Sequence, residues 1–299
     1  MAWPRRSEAL NAAALALALL SAASGGARAG QILLHQRAPS PALRRDLNYS
    51  LYQPAARPAK GAAWPVLYLL HGLGDTSSAW VKFGHIRSVM DRLIAQGRIP
   101  PMLVVMPGAG RSWYIDDRDP GGDLMEQAIT HDLIADVDSR YKTLRCRQGR
   151  IIGGLSMGGY GSALYAMDRP RLFAAAFSLS GGFWRLKPAG ELVSASLALD
   201  RFNVVFGRPL DPRRKNKWSL FSRIPAYAAD PQRTPLWLSI GDHDYPRLRV
   251  SNFAFVKALS KAGVQVPIRT DPGAHVWGLW DKDISPALIW AAGFLRETC

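Results

Sequence analysis

Short, almost wholly apolar runs alternate along this chain with longer segments patterned as helices, and that rhythm constrains the fold more than any other feature. Runs at 66–70, 102–106, 150–152, 173–179, 236–240 and 266–270 read as strands, with helical patterns at 86–96, 124–141, from 157, at 251–261 and at 286–296. In 124–141, Leu124, Ala128, Ile129, Leu133, Ile134 and Val137 recur at helical spacing. Strands apolar along both faces must be covered on both, so a mostly parallel sheet between helical layers is expected. Residues 182–231 break the rhythm. They are too long for an ordinary connection and are expected to form a small cap-like insertion or an excursion lining a site.

The chain has 299 residues, 48% of them hydrophobic and 20% charged, which excludes disordered and collagen-like classes. Its first thirty residues stand apart. Arg5 and Arg6 precede an apolar run from Leu10 to Ala23, and Ala27-Arg28-Ala29 has the small-x-small form of a cleavage site, so residues 1–29 read as a signal peptide. The run is about 14 residues long, short of the roughly 20 that a spanning helix needs. Residues 30–299 then form one domain, secreted or periplasmic and without a transmembrane segment. Removing the leader takes away three arginines and one glutamate from a formal charge of +15 and leaves +13, so the excess belongs to the folded part. Such a surface favours anionic surroundings. The dense basic stretch 208–223 is read as a solvated loop face, and no nucleic-acid partner is expected. Cys146 and Cys299 are the only cysteines; in an exported protein they permit one disulfide, although 153 positions separate them without a framework pattern.

The chemistry centres on Gly154-Leu155-Ser156-Met157-Gly158, which follows a short strand and opens a helix. Small residues at 154 and 158 allow the sharp turn that lifts a serine hydroxyl out of the sheet edge, as a nucleophile elbow requires. Ser156 then needs a base and an orienting acid, in the order serine, acid, histidine. His275, just after the strand at 266–270, is the expected base. Asp244 or Asp242, in Gly241-Asp242-His243-Asp244 after the strand at 236–240, is the acid. His35, His85, His131 and His243 lack a comparable place and are read as structural or solvated. Two backbone amides should face the developing oxyanion: that of Met157, directly after the nucleophile, and that of Leu73 in His71-Gly72-Leu73-Gly74. His71 itself is read as a residue bracing that loop. Trp113, Trp184 and Trp277 are candidate substrate contacts among the aromatics of these loops.

Other chemistry finds little support. Gly108-Ala109-Gly110 is followed by Trp at 113, so the dinucleotide fingerprint fails. There is no phosphate-binding loop, no H-E-x-x-H and no C-x-x-C. Asp116, Asp117 and Asp119 lack the spacing of a calcium loop and read as a solvated turn. No cofactor or metal is expected.

Leu69-Leu70-His71-Gly72, Trp80, the block Gly154-Leu155-Ser156-Met157-Gly158-Gly159-Tyr160-Gly161, the turn from Gly241 to Tyr245 and Gly273-Ala274-His275-Val276-Trp277 together resemble the esterase D family. That family groups S-formylglutathione hydrolases, feruloyl and acetylxylan-type esterases and the antigen 85 mycolyltransferases. The resemblance runs from about residue 45 to the C-terminus. It implies an α/β-hydrolase fold and a Ser-Asp-His triad, with the acid three residues after the glycine, which selects Asp244. The leader argues against a cytosolic S-formylglutathione hydrolase, and the trehalose-binding positions of the mycolyltransferases find no match. The expectation is therefore a secreted serine carboxylic-ester hydrolase acting on a small-molecule, polysaccharide or lipid ester, with an anionic ester favoured by the basic surface. The alternatives are an acyltransferase using the same triad and a non-catalytic basic binding protein.

Overall fold

In a computed structural model that describes residues 29–56, 62–117, 120–184 and 212–299, eight strands form one sheet. They are β1 (Gln31–Ala38), β2 (Leu47–Gln53), β3 (Val66–Leu70), β4 (Leu103–Pro107), β5 (Arg150–Leu155), β6 (Ala175–Leu179), β7 (Leu236–Gly241) and β8 (Ile268–Asp271), in spatial order 1-2-4-3-5-6-7-8. β1 pairs antiparallel with β2, and β2 antiparallel with β4; every pairing from β4 to β8 is parallel. This is the mostly parallel, helix-covered sheet that the apolar runs imply, in the α/β-hydrolase arrangement that the resemblance implies.

Alternation within the strands builds two cores. Val66, Tyr68 and Leu70 of β3 join one apolar cluster and Leu67 and Leu69 join the other, because successive side chains leave opposite faces of a sheet. Helices α1 (Ala79–Lys82), α2 (Ile86–Ala95) and α8 (Trp277–Ala292) bury residues in the second cluster. The first is covered by α3, a continuous helix made of Met125–Gln127, the π-helical Ala128–Leu133 and Ile134–Arg140, and by α4 (Met157–Asp168) and α7 (Pro246–Lys261). Two shorter helices, α5 (Pro212–Lys217) and α6 (Ile224–Ala229), belong to the segment expected to form a cap. Its residues 185–211, like the leader up to residue 28, lie outside the described residues.

The chain leaves β3 toward β4 on one side and β5 toward β6 on the other, although β3 and β5 are neighbours. Loops on either side of such a reversal diverge, which opens a crevice at the carboxyl ends of the strands. The loops after β3, β5, β7 and β8 carry the residues singled out by the sequence, and all lie at that edge. Cys146, just before β5, is joined to Cys299 in a disulfide with Cα atoms 5.9 Å apart.

The helix bounds differ from the sequence expectation in two places. α7 starts at Pro246, not 251, and α8 at Trp277, not 286. A proline favours the first turn of a helix, and Pro246 obeys this; Pro286 instead lies inside α8, so reading it as a start truncated that helix.

Candidate active site

Ser156 sits between β5 and α4 with φ 52° and ψ −113°. A non-glycine residue at positive φ costs on the order of 1–3 kcal/mol and persists only where its surroundings hold it. Here the Ser156 N–H donates to Leu179 O (2.8 Å), and the Ser156 carbonyl accepts from Gly182 N–H (2.9 Å). The flanking glycines are needed for close approach: a Cβ on Gly158 would lie 2.5 Å from Leu70 O, and one on Gly154 would lie 2.6 Å from Gly158 O. The turn therefore exposes the serine while burying its neighbours.

His275, on the loop after β8, brings its Nε2 to 2.9 Å from Ser156 Oγ. Its Nδ1 lies 2.9 Å from Asp244 Oδ1 and 3.2 Å from Oδ2. The Asp244 side chain is 0% exposed, and Oδ1 also accepts the Tyr245 N–H at 2.6 Å. Asp242 is used otherwise: its Oδ1 accepts the Gly273 N–H at 2.9 Å, tying the loop after β7 to the loop that carries His275. An imidazole held between a buried carboxylate and a serine hydroxyl can take the serine proton while the carboxylate stabilises the resulting cation.

Met157 is the first residue of α4, where a helix amide has no intrahelical partner. Leu73 lies on the loop after β3, and a Cβ on the preceding Gly72 would stand 3.8 Å from Ser156 Cβ, so that loop borders Ser156. Trp113 and Trp184 share this side. A Cβ on Gly182 would lie 3.0 Å from the Trp113 ring and 3.5 Å from Ser156 O. The ring centroids of Trp113 and Trp184 are 5.4 Å apart, and Tyr160 stacks on Trp184 at 4.5 Å. Trp277 goes elsewhere: its ring packs at 5.2 Å on Trp80, 5.5 Å on Trp280 and 5.6 Å on Phe83.

Sequence reasoning missed Tyr245. Its ring, 53% exposed, lies 5.0 Å from that of His275, while Trp280 meets the same imidazole edge-on at 4.9 Å. The available signal was adjacency alone, since Tyr245 follows Asp244 directly. No cluster of residues able to hold a metal ion occurs among the described residues.

A strand order of 1-2-4-3-5-6-7-8 with a strained serine elbow after β5 defines an α/β-hydrolase. The Esterase family model matches residues 40–291, and the chain belongs to that family and is an esterase, in agreement with the resemblance carried by its motifs. A solved ferulic acid esterase superposes with a TM-score of 0.74 at 26% identity, covering 89% of this chain and 99% of that one. The acetyl esterase of Caldicellulosiruptor saccharolyticus is 25% identical over 229 residues, 75% of this chain and 82% of its own. The endo-1,4-beta-xylanase/feruloyl esterase of Xylanibacter ruminicola is 34% identical over 125 residues, 41% of this chain; the matched stretch spans only 17% of that longer protein.

Proposed function

We propose that the protein is an exported serine esterase working through an acyl-enzyme on Ser156. His275 takes the serine proton as Oγ attacks the ester carbonyl, Asp244 holds the imidazole in its Nδ1–H tautomer, and the Met157 and Leu73 amides receive the oxyanion. His275 then returns the proton to the departing alcohol, and water, activated the same way, releases the acid. The observation that carries this reading is the placement of His275, 2.9 Å from both Ser156 Oγ and Asp244 Oδ1.

Trp113, which with Ser156 O flanks Gly182 and packs edge-on against Trp184, supports an apolar or aromatic acyl group, in keeping with relatives named for ferulic acid and acetyl esters. Trp277, packed under the histidine loop, is assigned to support and not to substrate. Export of residues 30–299 as one esterase domain rests on the leader-like residues 1–29, and no helix among the described residues is long and apolar enough to cross a membrane. The charge of +13 that then remains favours an anionic ester or an anionic surface holding it.

The test is hydrolysis of nitrophenyl esters of increasing acyl length, and of a feruloyl ester, by wild type and Ser156→Ala. Turnover by wild type that is lost in the variant supports the reading. Silence with water but acyl transfer to added alcohols would replace the hydrolase with a transferase. For a charged ester, a KM indifferent to salt would remove the anionic preference, since salt screens exposed attraction.

A further inference from the structure

The loop after β3 holds a second histidine that the reaction scheme does not use. His71 is 1% exposed, and its ring bonds to two loops at once. Nε2 accepts the Ala109 N–H at 2.9 Å, and Nδ1 lies 2.7 Å from Gly72 O. An amide only donates, so Nε2 must carry the lone pair. The single proton of the neutral ring is then on Nδ1, donated to Gly72 O. Burial holds this imidazole down at about 4, so it stays neutral at ordinary pH.

Gly72 O accepts a second bond, from the Asp75 N–H at 3.2 Å. In a trans peptide the carbonyl of one residue and the amide of the next point in opposite directions. Two donors on Gly72 O therefore set the direction of the Leu73 N–H. The preceding carbonyls are held as well: Trp80 Nε1 donates to Leu70 O and Tyr114 OH to His71 O, each at 3.0 Å. Every carbonyl from 70 to 72 is thus drawn to a donor, and the Gly72 Cα borders Ser156.

We infer that His71 is the positioning residue of the oxyanion site: in its Nδ1–H tautomer it clamps the Gly72–Leu73 peptide so that the Leu73 amide faces the oxygen that becomes charged. This rests on the reading of Leu73 as an oxyanion donor. His71 touches no reacting atom. Its effect belongs to the transition state, where the amide bond tightens, and not to substrate binding.

Two near-isosteric substitutions separate the clamp from the strut to Ala109. Asparagine places an amide N–H near the Nδ1 position and restores the donor to Gly72 O; glutamine places its oxygen near Nε2 and keeps only the acceptor for Ala109. Removing one oxyanion donor costs about 10²–10³ in kcat. His71→Gln, which misaims a donor without deleting it, is therefore expected to lose about ten- to a hundredfold in kcat with KM within about twofold. His71→Asn is expected to recover at least about tenfold of that loss. A merely structural role would make kcat follow the folded fraction, measured by thermal denaturation, in both variants alike. Equal kcat losses in the two, or a wild-type kcat in His71→Gln, would overturn the inference. Ring 15N shifts of the wild type give a check that needs no variant: a protonated Nδ1 and a bare Nε2 are expected from pH 5 to 8, and the opposite tautomer refutes the clamp. Wild-type kcat in His71→Gln beside an inert Ser156→Ala removes this inference alone, whereas turnover surviving in Ser156→Ala removes both readings.

Discussion

Gly161 lies on the second turn of α4, and a Cβ placed there would come within 2.7 Å of Tyr114 Cγ and 2.8 Å of its Cβ and Cδ2. Those atoms belong to the root of a fully buried side chain, so no flexible tip can swing aside. Tyr114 is further fixed by its φ of 59°, by its hydroxyl on His71 O (3.0 Å) and by its own carbonyl accepting Tyr165 OH (2.7 Å). Gly161→Ala would gain about 1 kcal/mol of helix propensity. Against that, overpacking costs about 1–3 kcal/mol, and displacing the ring enough to lose the bond to His71 O costs about 1 kcal/mol more. The expected net loss is about 1–3 kcal/mol, read as a shift in the urea midpoint by tryptophan fluorescence. Because the displaced hydroxyl holds a carbonyl of the Leu73 loop, kcat toward a nitrophenyl ester should fall several-fold as well. Tyr114→Phe, which removes the hydroxyl and leaves the ring, should reproduce much of the kcat loss with less effect on stability. A Gly161→Ala protein stabilised by about 1 kcal/mol with unchanged kcat would refute the close-packing argument.

Asp244→Asn should lower kcat by about 10³–10⁴ by disfavouring the required histidine tautomer. Asp242→Asn, whose amide oxygen can still accept the Gly273 N–H, should stay within about threefold; the reverse ranking would exchange their roles. Cys146→Ser frees a closure of 153 residues, worth up to about 5 kcal/mol by loop entropy and typically about 2–5 kcal/mol in practice. A denaturant midpoint that does not respond to the substitution or to reductant would contradict it. Two buried groups oppose each other in acid. His71, held down at about 4 by burial against an ordinary 6.5, makes the unfolded chain take up the proton first, so stability falls as pH drops through that window. Asp283, pushed up to about 6 by burial and by the neighbouring Asp271, is protonated in the folded state first; its contribution is full below about 3.8 and is lost as pH rises through about 6. Asp283→Asn should therefore steepen the loss of stability between pH 6 and 4 in equilibrium unfolding, and an unchanged slope would count against the opposition.

Ser156, His275 and the Asp242/Asp244 turn were legible because each stands where an apolar run meets turn residues, and such junctions fall at one edge of a parallel sheet whatever the packing between them. The choice between the two aspartates was legible only through family resemblance: they lie two residues apart in one turn, and which of them reaches a histidine 31 residues away is a matter of tertiary geometry. β1 and β2 escaped notice for a related reason. Gln31–Ala38 is largely exposed and lacks strict alternation, so only its pairing with β2 identifies it as a strand. The π-helical turn at Ala128–Leu133 shares the apolar spacing of an ordinary helix and leaves no separate mark in the sequence.

The glycine after Tyr160 has no part in the elbow itself, where the close approaches around Ser156 are those at Gly154 and Gly158. What Gly161 makes room for is a link between the two halves of the proposed oxyanion site. Tyr165 on α4 holds the Tyr114 carbonyl, and the Tyr114 hydroxyl holds the His71 carbonyl, so the helix that begins at Met157 is bonded to the loop that carries Leu73. One proposed donor thus belongs to α4 and the other to a loop bonded back to it. A site that stabilises charge by preorganised dipoles gains only if those dipoles need not reorganise as the charge forms, and donors on two independent loops would drift relative to each other. The Tyr165–Tyr114–His71 chain removes that freedom with bonds that are buried throughout and so do not compete with water. On this view the conformational cost of the site is met at Trp113, Tyr114 and Ser156, three non-glycine residues at positive φ, and the return is a fixed separation between the Met157 and Leu73 amides.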